Sequence, residues 1–207
     1  MTSSSLQLGI VILAAGESKR LGTPKQLLDW NGETLLQKSI ATANQLLENN
    51  YSNSLLYVVL GAKYEEISAH IRSENVVICQ NKQWVDGIGS SIRCGIEEMS
   101  AQGKCNAALI MLCDQPYITS DYLQKLVERF IESDKRIITT SYNKINGVPA
   151  LFDKKYFAEL CALRGEQGAK QIIKRFAIDC ETVDFEKAAI DIDTSEDYVK
   201  ALRLIIN

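Results

Sequence analysis

The chain has 207 residues, 46% of them hydrophobic and 24% charged, with a formal net charge of -3, which fits one domain large enough to bury its own core. The mildly acidic balance excludes the basic stripe of a nucleic-acid binder, and no apolar stretch reaches the length that crosses a bilayer. Six cysteines (Cys79, Cys94, Cys105, Cys113, Cys161 and Cys180) form no CxxC pair, so neither a zinc site nor a thioredoxin-type site has local support. No basic residue precedes the first apolar run, which argues against a secretory leader; reduced thiols and a cytoplasmic location are expected. The one histidine, His70, falls in a polar segment and reads as a solvated surface residue. A Ser–His–Asp or Cys–His apparatus therefore has no material to work with.

The first element, residues 10–14, is an apolar run of the kind that forms a buried parallel strand. It runs into Ala14-Ala15-Gly16, then Glu17, Ser18, Lys19, Arg20, Gly22, Pro24 and Lys25. Small residues directly after a strand let backbone N–H groups approach an anion closely, and Arg20 and Lys25 add positive charge beside them, as a triphosphate requires. The dinucleotide fingerprint GxGxxG is not met, because a third glycine and the close spacing are missing; the pattern GxxxxGK[ST] is not met, because Gly22 is followed by Thr23 and Pro24.

Apolar spacing next predicts a helix over 33–47, a strand over 55–60, a helix over 63–72, a short strand over 76–79, a helix from 88 or 90 to 99, and a strongly apolar strand over 107–113. A helix over 119–131 follows, with Thr119 or Ser120 as N-cap, then strands over 136–141 and 148–152 on either side of an Asn146-Gly147 turn. Helices over 154–163 and 167–176, a strand near 178–183 and a helix over 196–206 complete the series. Alternating strands and helices predict an α/β fold, a parallel or mixed sheet covered on both faces. Ligands of such sheets lie beyond the carboxyl ends of the strands.

The loops at those ends carry the chemistry. Asp114 follows the strand over 107–113, where a carboxylate can hold Mg²⁺ against phosphates, although Asp and Pro in Cys113-Asp114-Gln115-Pro116 also suit a plain turn. Asp191 and Asp193 precede a helix start and would point the same way if extended, while Thr194 or Ser195 caps that helix. In the loop over 81–95, Gly87 and Gly89 let the backbone pass close to a ligand, and Ser90 and Ser91 can cap the next helix or bond a base. Trp84 reads as a packing residue.

Leu13-Ala14-Ala15-Gly16, Ser18, Arg20, Gly22, Lys25 and Leu27-Leu28 together match the signature LAAGxSxRxGxxKxLL, and the chain resembles the nucleotidyltransferases related to molybdopterin cytidylyltransferases. Four more elements resemble that family in order up to about Ala201: the loop over 81–95, with Lys82 where proline is usual and Ile92 where leucine is; Leu112-Cys113-Asp114-Gln115-Pro116; residues 146–152 and 164–170, with Glu166 for Asp and Lys170 for Arg; and residues 191–198, with Ser195 for proline. The resemblance implies a Rossmann-like three-layer sandwich in one domain, about 8–115 binding nucleotide and about 116–207 binding the acceptor. It further implies catalytic roles for Arg20, Lys25 and Asp114, and nucleotide contacts from Leu13, Ala14, Ala15, Gly16, Ser18, Gly87, Ser91 and Arg93, with Arg93 near the phosphates. Acceptor contacts would come from Gly147, Pro149, Gly165, Gly168 and Lys170, and Mg²⁺ ligands from Asp114 and Asp193. Exchanging Arg for Lys at position 170 loses bidentate phosphate geometry. Guanylyltransferases of the family read LAGG where this chain has Ala15, so the resemblance implies CTP. The implied reaction is transfer of CMP to the terminal phosphate of molybdopterin, with pyrophosphate released and with transient contact to a molybdenum hydroxylase or its chaperone. A sugar- or polyol-phosphate nucleotidyltransferase and a non-catalytic cofactor-binding accessory protein are the alternatives.

Overall fold

The computed structural model describes residues 6–51, 54–73 and 75–206, and its layers follow from the alternation along strand β1 (Leu8–Ala14). Successive side chains of a strand point to opposite faces; Ile10, Ile12 and Ala14 enter one apolar cluster while Val11 and Leu13 enter another. Both faces are buried, so the stretch reads as a continuous apolar run.

A short hairpin, β2 (Asp29–Trp30) and β3 (Glu33–Thr34), follows β1, then α1 (Leu35–Asn50), β4 (Leu55–Leu60), α2 (Tyr64–Ser68), β5 (Val76–Gln80), α3 (Ile88–Ala101) and β6 (Ala107–Leu112). The second half carries α4 (Ser120–Glu132), β7 (Ile137–Tyr142), β8 (Ile145–Asp153), α5 (Phe157–Cys161), α6 (Ala169–Arg175), β9 (Cys180–Asp184) and α7 (Ser195–Ile206). The seven-stranded sheet has the order β5-β4-β1-β6-β8-β7-β9. Strands β5, β4, β1 and β6 run parallel, β8 is antiparallel to both β6 and β7, and β9 is parallel to β7. Helices α1 and α4 cover one face through Leu36, Ile40, Leu123 and Phe130; α3, α5 and α6 cover the other through Ile92, Leu160 and Ile172. This is the expected α/β sandwich of three layers around a mostly parallel sheet. A Cβ on Gly95 would come within 2.5 Å of Val11 Cγ1 and 2.9 Å of Val59 Cγ2, so glycine is what lets α3 lie this close to β1 and β4.

Local chemistry sets the element ends. Thr34 and Gln37 close a reciprocal capping box at the start of α1, so this helix begins after the strand pair that takes up residues 33 and 34. Thr119, rather than Ser120, caps α4 by accepting from Tyr122 N–H at 3.2 Å. The helix expected over 63–72 is only α2 (Tyr64–Ser68), because after it the bonds shorten to three-residue turns, His70 N–H to Ile67 O and Ile71 N–H to Ser68 O. The helix expected over 154–163 opens as a 3₁₀ turn, Lys154–Tyr156, before α5. The hairpin turn is not at Asn146-Gly147. Tyr142 pairs with Ile145 and Asn146 with Ser141, so Asn143 and Lys144, at φ 47° and 60°, make a two-residue turn of the left-handed kind that suits the strand twist. Asn146 and Gly147 are ladder residues, and a Cβ on Gly147 would meet the Tyr142 hydroxyl at 2.6 Å.

A third cluster of Trp30, Leu35, Ile192 and Ala201 fastens α7 over the β2–β3 hairpin and the start of α1. Ile192 N–H donates to Asp114 O at 3.0 Å, which lays residues 191–193 beside the carboxyl end of β6. All six cysteines are free, and burial pushes the Cys79 and Cys113 thiols up to about 12, so both behave as small apolar core residues. His70 is exposed, with Nδ1 2.9 Å from Glu66 O. Among the described residues, no helix is long and apolar enough to cross a membrane.

Candidate active site

Three chain segments bring charge together beyond the carboxyl ends of β1 and β6. The loop after β1 folds back on itself: Leu21 N–H donates to Ser18 O at 3.0 Å and Lys25 N–H to Ser18 Oγ at 3.0 Å. Ser18, at φ 60°, thus adopts a left-handed conformation that both of its oxygens hold in place. The N–H groups of Gly16, Glu17, Ser18, Lys19 and Arg20 donate to no acceptor among the described residues. A run of open donors beside Arg20 and Lys25 is an anion cradle.

Lys25 lies at its centre. Its Nζ sits 2.5 Å from Asp114 Oδ2, 2.7 Å from Asp193 Oδ1 and 3.3 Å from Ile192 O. Asp193 Oδ2 in turn accepts from Arg20 Nη2 at 2.7 Å. Burial pushes the Lys25 ammonium towards neutrality, but the Asp114 and Asp193 carboxylates outweigh it and hold its pKa well above the ordinary lysine value. For Asp193, burial acts upward and is outweighed by Lys25 and Arg20, which hold the carboxyl below the usual range. Burial and the neighbouring Asp114 push the Asp191 carboxyl up, and Lys25 offsets them only in part. Asp114 Oδ1 is buried and accepts from no donor among the described residues.

Those oxygens suit a hard divalent cation. Among the described residues no three His, Cys, Asp or Glu side chains are grouped to hold a metal ion, but a carboxylate pair with a vacant buried oxygen is the donor set that Mg²⁺ combines with substrate phosphates and water. Between Asp114 and Asp193, the two carboxylates expected to ligate the metal, stands the Lys25 ammonium.

A cleft of about 540 Å³ opens over this cluster, within the range of small-ligand sites. It is lined by residues 13–20 and Lys25, by Asp114, and by Gly87 and Ser91. Gly87 has φ 93°, and a Cβ there would come within 2.5 Å of Gly165 O, so this position needs glycine. Asn81 Nδ2 donates to Ser90 Oγ at 2.8 Å and Ser91 Oγ at 3.1 Å. Ser90 then spends its own proton on the carbonyls of Gln83 and Gly87, each at 2.8 Å. Ser91 O–H has no acceptor among the described residues, and Ser91 is the serine that reaches the cleft. Trp84 contributes to the lining while packing against the second apolar cluster.

Arg93 does not line this cleft. Its Nη2 donates to Gln83 Oε1 at 2.7 Å, in a separate polar groove with Gln80 and Glu97, because α3 carries Ser91 towards the cleft and Arg93 two positions further round. The expected acceptor residues also divide. Gly147, Gly168 and Lys170 meet in an apolar slot of about 140 Å³ that shares Leu13, Ile88 and Leu112 with the main cleft. Gly165 instead braces Gly87 and accepts from Gly89 N–H at 3.0 Å. Pro149 lines neither cavity; its carbonyl accepts from Thr140 Oγ1 at 2.5 Å.

Two glutamines were given no role from the sequence, although Gln115 stands in one of its motifs. Gln26 is fully buried beneath the loop, and Gln115 Nε2 donates to Ala188 O at 2.8 Å and Val148 O at 3.3 Å, tying the Asp114 turn to the C-terminal segment and to β8. Only its place inside an otherwise apolar or loop stretch marks Gln26 in the sequence.

The chain is similar to purine catabolism protein PucB of Bacillus subtilis (strain 168), 29% identical over 198 residues that cover 91% of this chain and 92% of that one. It is similar to nicotine blue oxidoreductase of Paenarthrobacter nicotinovorans, at 28% over 93% and 95% of the two chains, and to molybdenum cofactor cytidylyltransferase of Escherichia coli (strain K12), at 27% over 92% and 93%. The crystal structure of Rv0371c from Mycobacterium tuberculosis H37Rv superposes with a TM-score of 0.82 at 24% identity, covering 96% of this chain and 99% of that one. The same protein has been solved in complex with manganese (TM-score 0.74, 23% identity, 95% and 98% covered). At these identities the two structures speak for the fold. The model of the MobA-like NTP transferase domain matches residues 10–181, a stretch that enters in β1, takes in the anion loop and Asp114 and ends in β9, and the chain therefore belongs to that family of nucleotidyltransferases.

Proposed function

We propose that the protein transfers CMP from CTP to the terminal phosphate of molybdenum-bearing molybdopterin, releasing pyrophosphate. The observation that carries this reading is Lys25, held between Asp114 and Asp193 at the end of a loop with unpaired N–H groups. A phosphate acceptor is already ionised at neutral pH, so its oxygen attacks the α-phosphorus without a general base. The bond to the β-phosphate oxygen breaks and pyrophosphate leaves. The chain's own part is alignment and charge neutralisation. The loop N–H groups and Arg20 receive phosphate oxygens, Lys25 follows the charge that develops at the leaving group, and Asp114 and Asp193 would hold Mg²⁺, whose charge offsets that of the phosphates.

In this reading residues 8–115 serve the nucleotide and residues 116–207 the acceptor, the halves meeting where Gly165 backs Gly87. Ala15, in place of the glycine of guanylyltransferases, and the similarity to a cytidylyltransferase favour CTP; the manganese in a protein of the same fold favours a divalent ion. A cytoplasmic location and transient contact with a molybdenum hydroxylase or its chaperone complete the reading.

The test is pyrophosphate release with Mg²⁺ or Mn²⁺, each of the four NTPs, and molybdenum-loaded molybdopterin. Release with CTP alone is the expected result. Release only with a sugar phosphate would keep the reaction and overturn the acceptor, and nucleotide binding without release would overturn the enzyme in favour of a binding protein. Lys25→Ala and Asp114→Ala are each expected to lower turnover at least about 100-fold with an unchanged far-ultraviolet circular dichroism spectrum. Rates near the wild type in either variant would sink the assignment.

A further inference from the structure

The geometry points to Gln26 as the residue that, together with the Ala62 N–H, sets the direction of the nucleotide-binding N–H groups. The inference rests on the nucleotide reading of the same cleft. Gln26 is 0% exposed, and its Nε2 donates one hydrogen to Ala14 O at 2.7 Å and the other to Gly16 O at 2.9 Å. The carbonyl between them, Ala15 O, accepts from Ala62 N–H at 3.0 Å. Three successive carbonyls of the loop are therefore fixed, two of them by one side chain.

A trans peptide is planar, and its N–H points opposite to its C=O. Holding Gly16 O against Gln26 turns the Glu17 N–H away from Gln26, and holding Ala15 O against Ala62 turns the Gly16 N–H away from β4. Gly16 and Glu17 line the cleft, and neither N–H has an acceptor among the described residues. Small residues allow these peptides to rotate freely; the glutamine removes that freedom. Gln26 Oε1 is buried without a donor among the described residues, so the amide is kept at a desolvation cost, and its two donated bonds are what the loop gains from it. Gln26 is a positioning residue: it acts on a phosphate through the loop backbone.

The experiment compares wild type with Gln26→Met, which keeps the length and removes both donors, and with Leu126→Ala in α4, a core variant remote from the cleft. The measurements are the dissociation constant for CTP without acceptor and the KM values for nucleotide and acceptor, all below the melting temperature of each protein. Gln26→Met is expected to weaken CTP binding and raise the nucleotide KM about tenfold or more, with the acceptor KM within twofold; Leu126→Ala is expected to lower only the melting temperature. Equal CTP binding by wild type and Gln26→Met overturns this inference alone, whereas a wild type that binds none of the four NTPs overturns the nucleotide reading and this inference with it. A measurement on the wild type covers the case in which the variant does not fold. On CTP addition the backbone amide resonances of Gly16 and Glu17 shift while the Gln26 side-chain NH₂ pair stays in place, and unmoved Gly16 and Glu17 amides would overturn the inference.

Discussion

At the scale of the residue, Lys25 shows how much one side chain can hold and how little of that a sequence displays. Its loop was legible, because a strand running into Ala-Ala-Gly with basic residues behind it has few other uses. Asp114 and Asp193 were legible as carboxylates in the right kind of turn. Their meeting on one ammonium was not, since Asp114 and Asp193 lie 89 and 168 positions away along the chain. Arg93, which the resemblance sets near the phosphates, donates to Gln83 outside the cleft lining, a partner that no motif displays. The Lys25 arrangement has a consequence of unexpected sign. Removing the ammonium leaves Asp114, 13% exposed, without its cation and Asp193 with Arg20 alone, so Lys25→Met is expected to bind Mn²⁺ more tightly than wild type in the absence of nucleotide, by about tenfold. Loss of the free Mn²⁺ resonance signal on titration measures it. Weaker Mn²⁺ binding in the variant would show that the carboxylate pair is not the metal site.

Among the elements, periodicity revealed the strands and long helices because burial on one or both faces writes itself into the apolar spacing. It missed the hairpin turn, where Asn146-Gly147 carries the stronger local signal, yet pairing of Tyr142 with Ile145 leaves the turn to Asn143 and Lys144. Register is set by both faces of a strand, and a dipeptide cannot report it. A side-chain tie joins the starts of β7 and β9. Asp179 accepts from Lys155 Nζ at 2.6 Å, from the Tyr156 hydroxyl and from Arg136 N–H at 3.2 Å. Burial acts upward on this carboxyl and is outweighed by Lys155 and Tyr156, so its pKa lies below the ordinary 3.8. A carboxyl with a depressed pKa adds stability above its unfolded value, and that stability is lost as pH falls through the folded value. Asp179→Asn is accordingly expected to be less stable than wild type at neutral pH, by about 1 kcal/mol, with the difference shrinking as pH drops below 3.8. Urea midpoints of the two proteins as a function of pH check this; a difference that stays constant into acid would assign it to packing.

For the whole molecule, the cleft gathers segments that lie as far apart along the chain as Leu13 and Glu166, so ligand binding and global stability are coupled. With CTP at a hundred times its dissociation constant, linkage adds about 2.7 kcal/mol, a rise in melting temperature of about 5 to 10 °C for a chain of this size. Mn²⁺ added with CTP is expected to raise it further in the wild type and to leave Asp114→Asn at its CTP-only value. An equal metal increment in both would place the ion elsewhere.

The ties of Lys25 and Arg20 to Asp193 span 168 and 173 positions, and this matters before the protein is finished. At a translation rate of about 5 to 20 residues per second, the anion loop leaves the ribosome about ten to thirty seconds ahead of its last carboxylate. During that interval β1, β4, β5 and the helices between them can associate, yet Arg20 and Lys25 wait for Asp193, still unmade. A nascent chain stalled before residue 191 would therefore leave Arg20 without its carboxylate and Lys25 with Asp114 alone, and only the arrival of α7, seating Ile192 against Leu35 and Trp30, brings Asp193 to both.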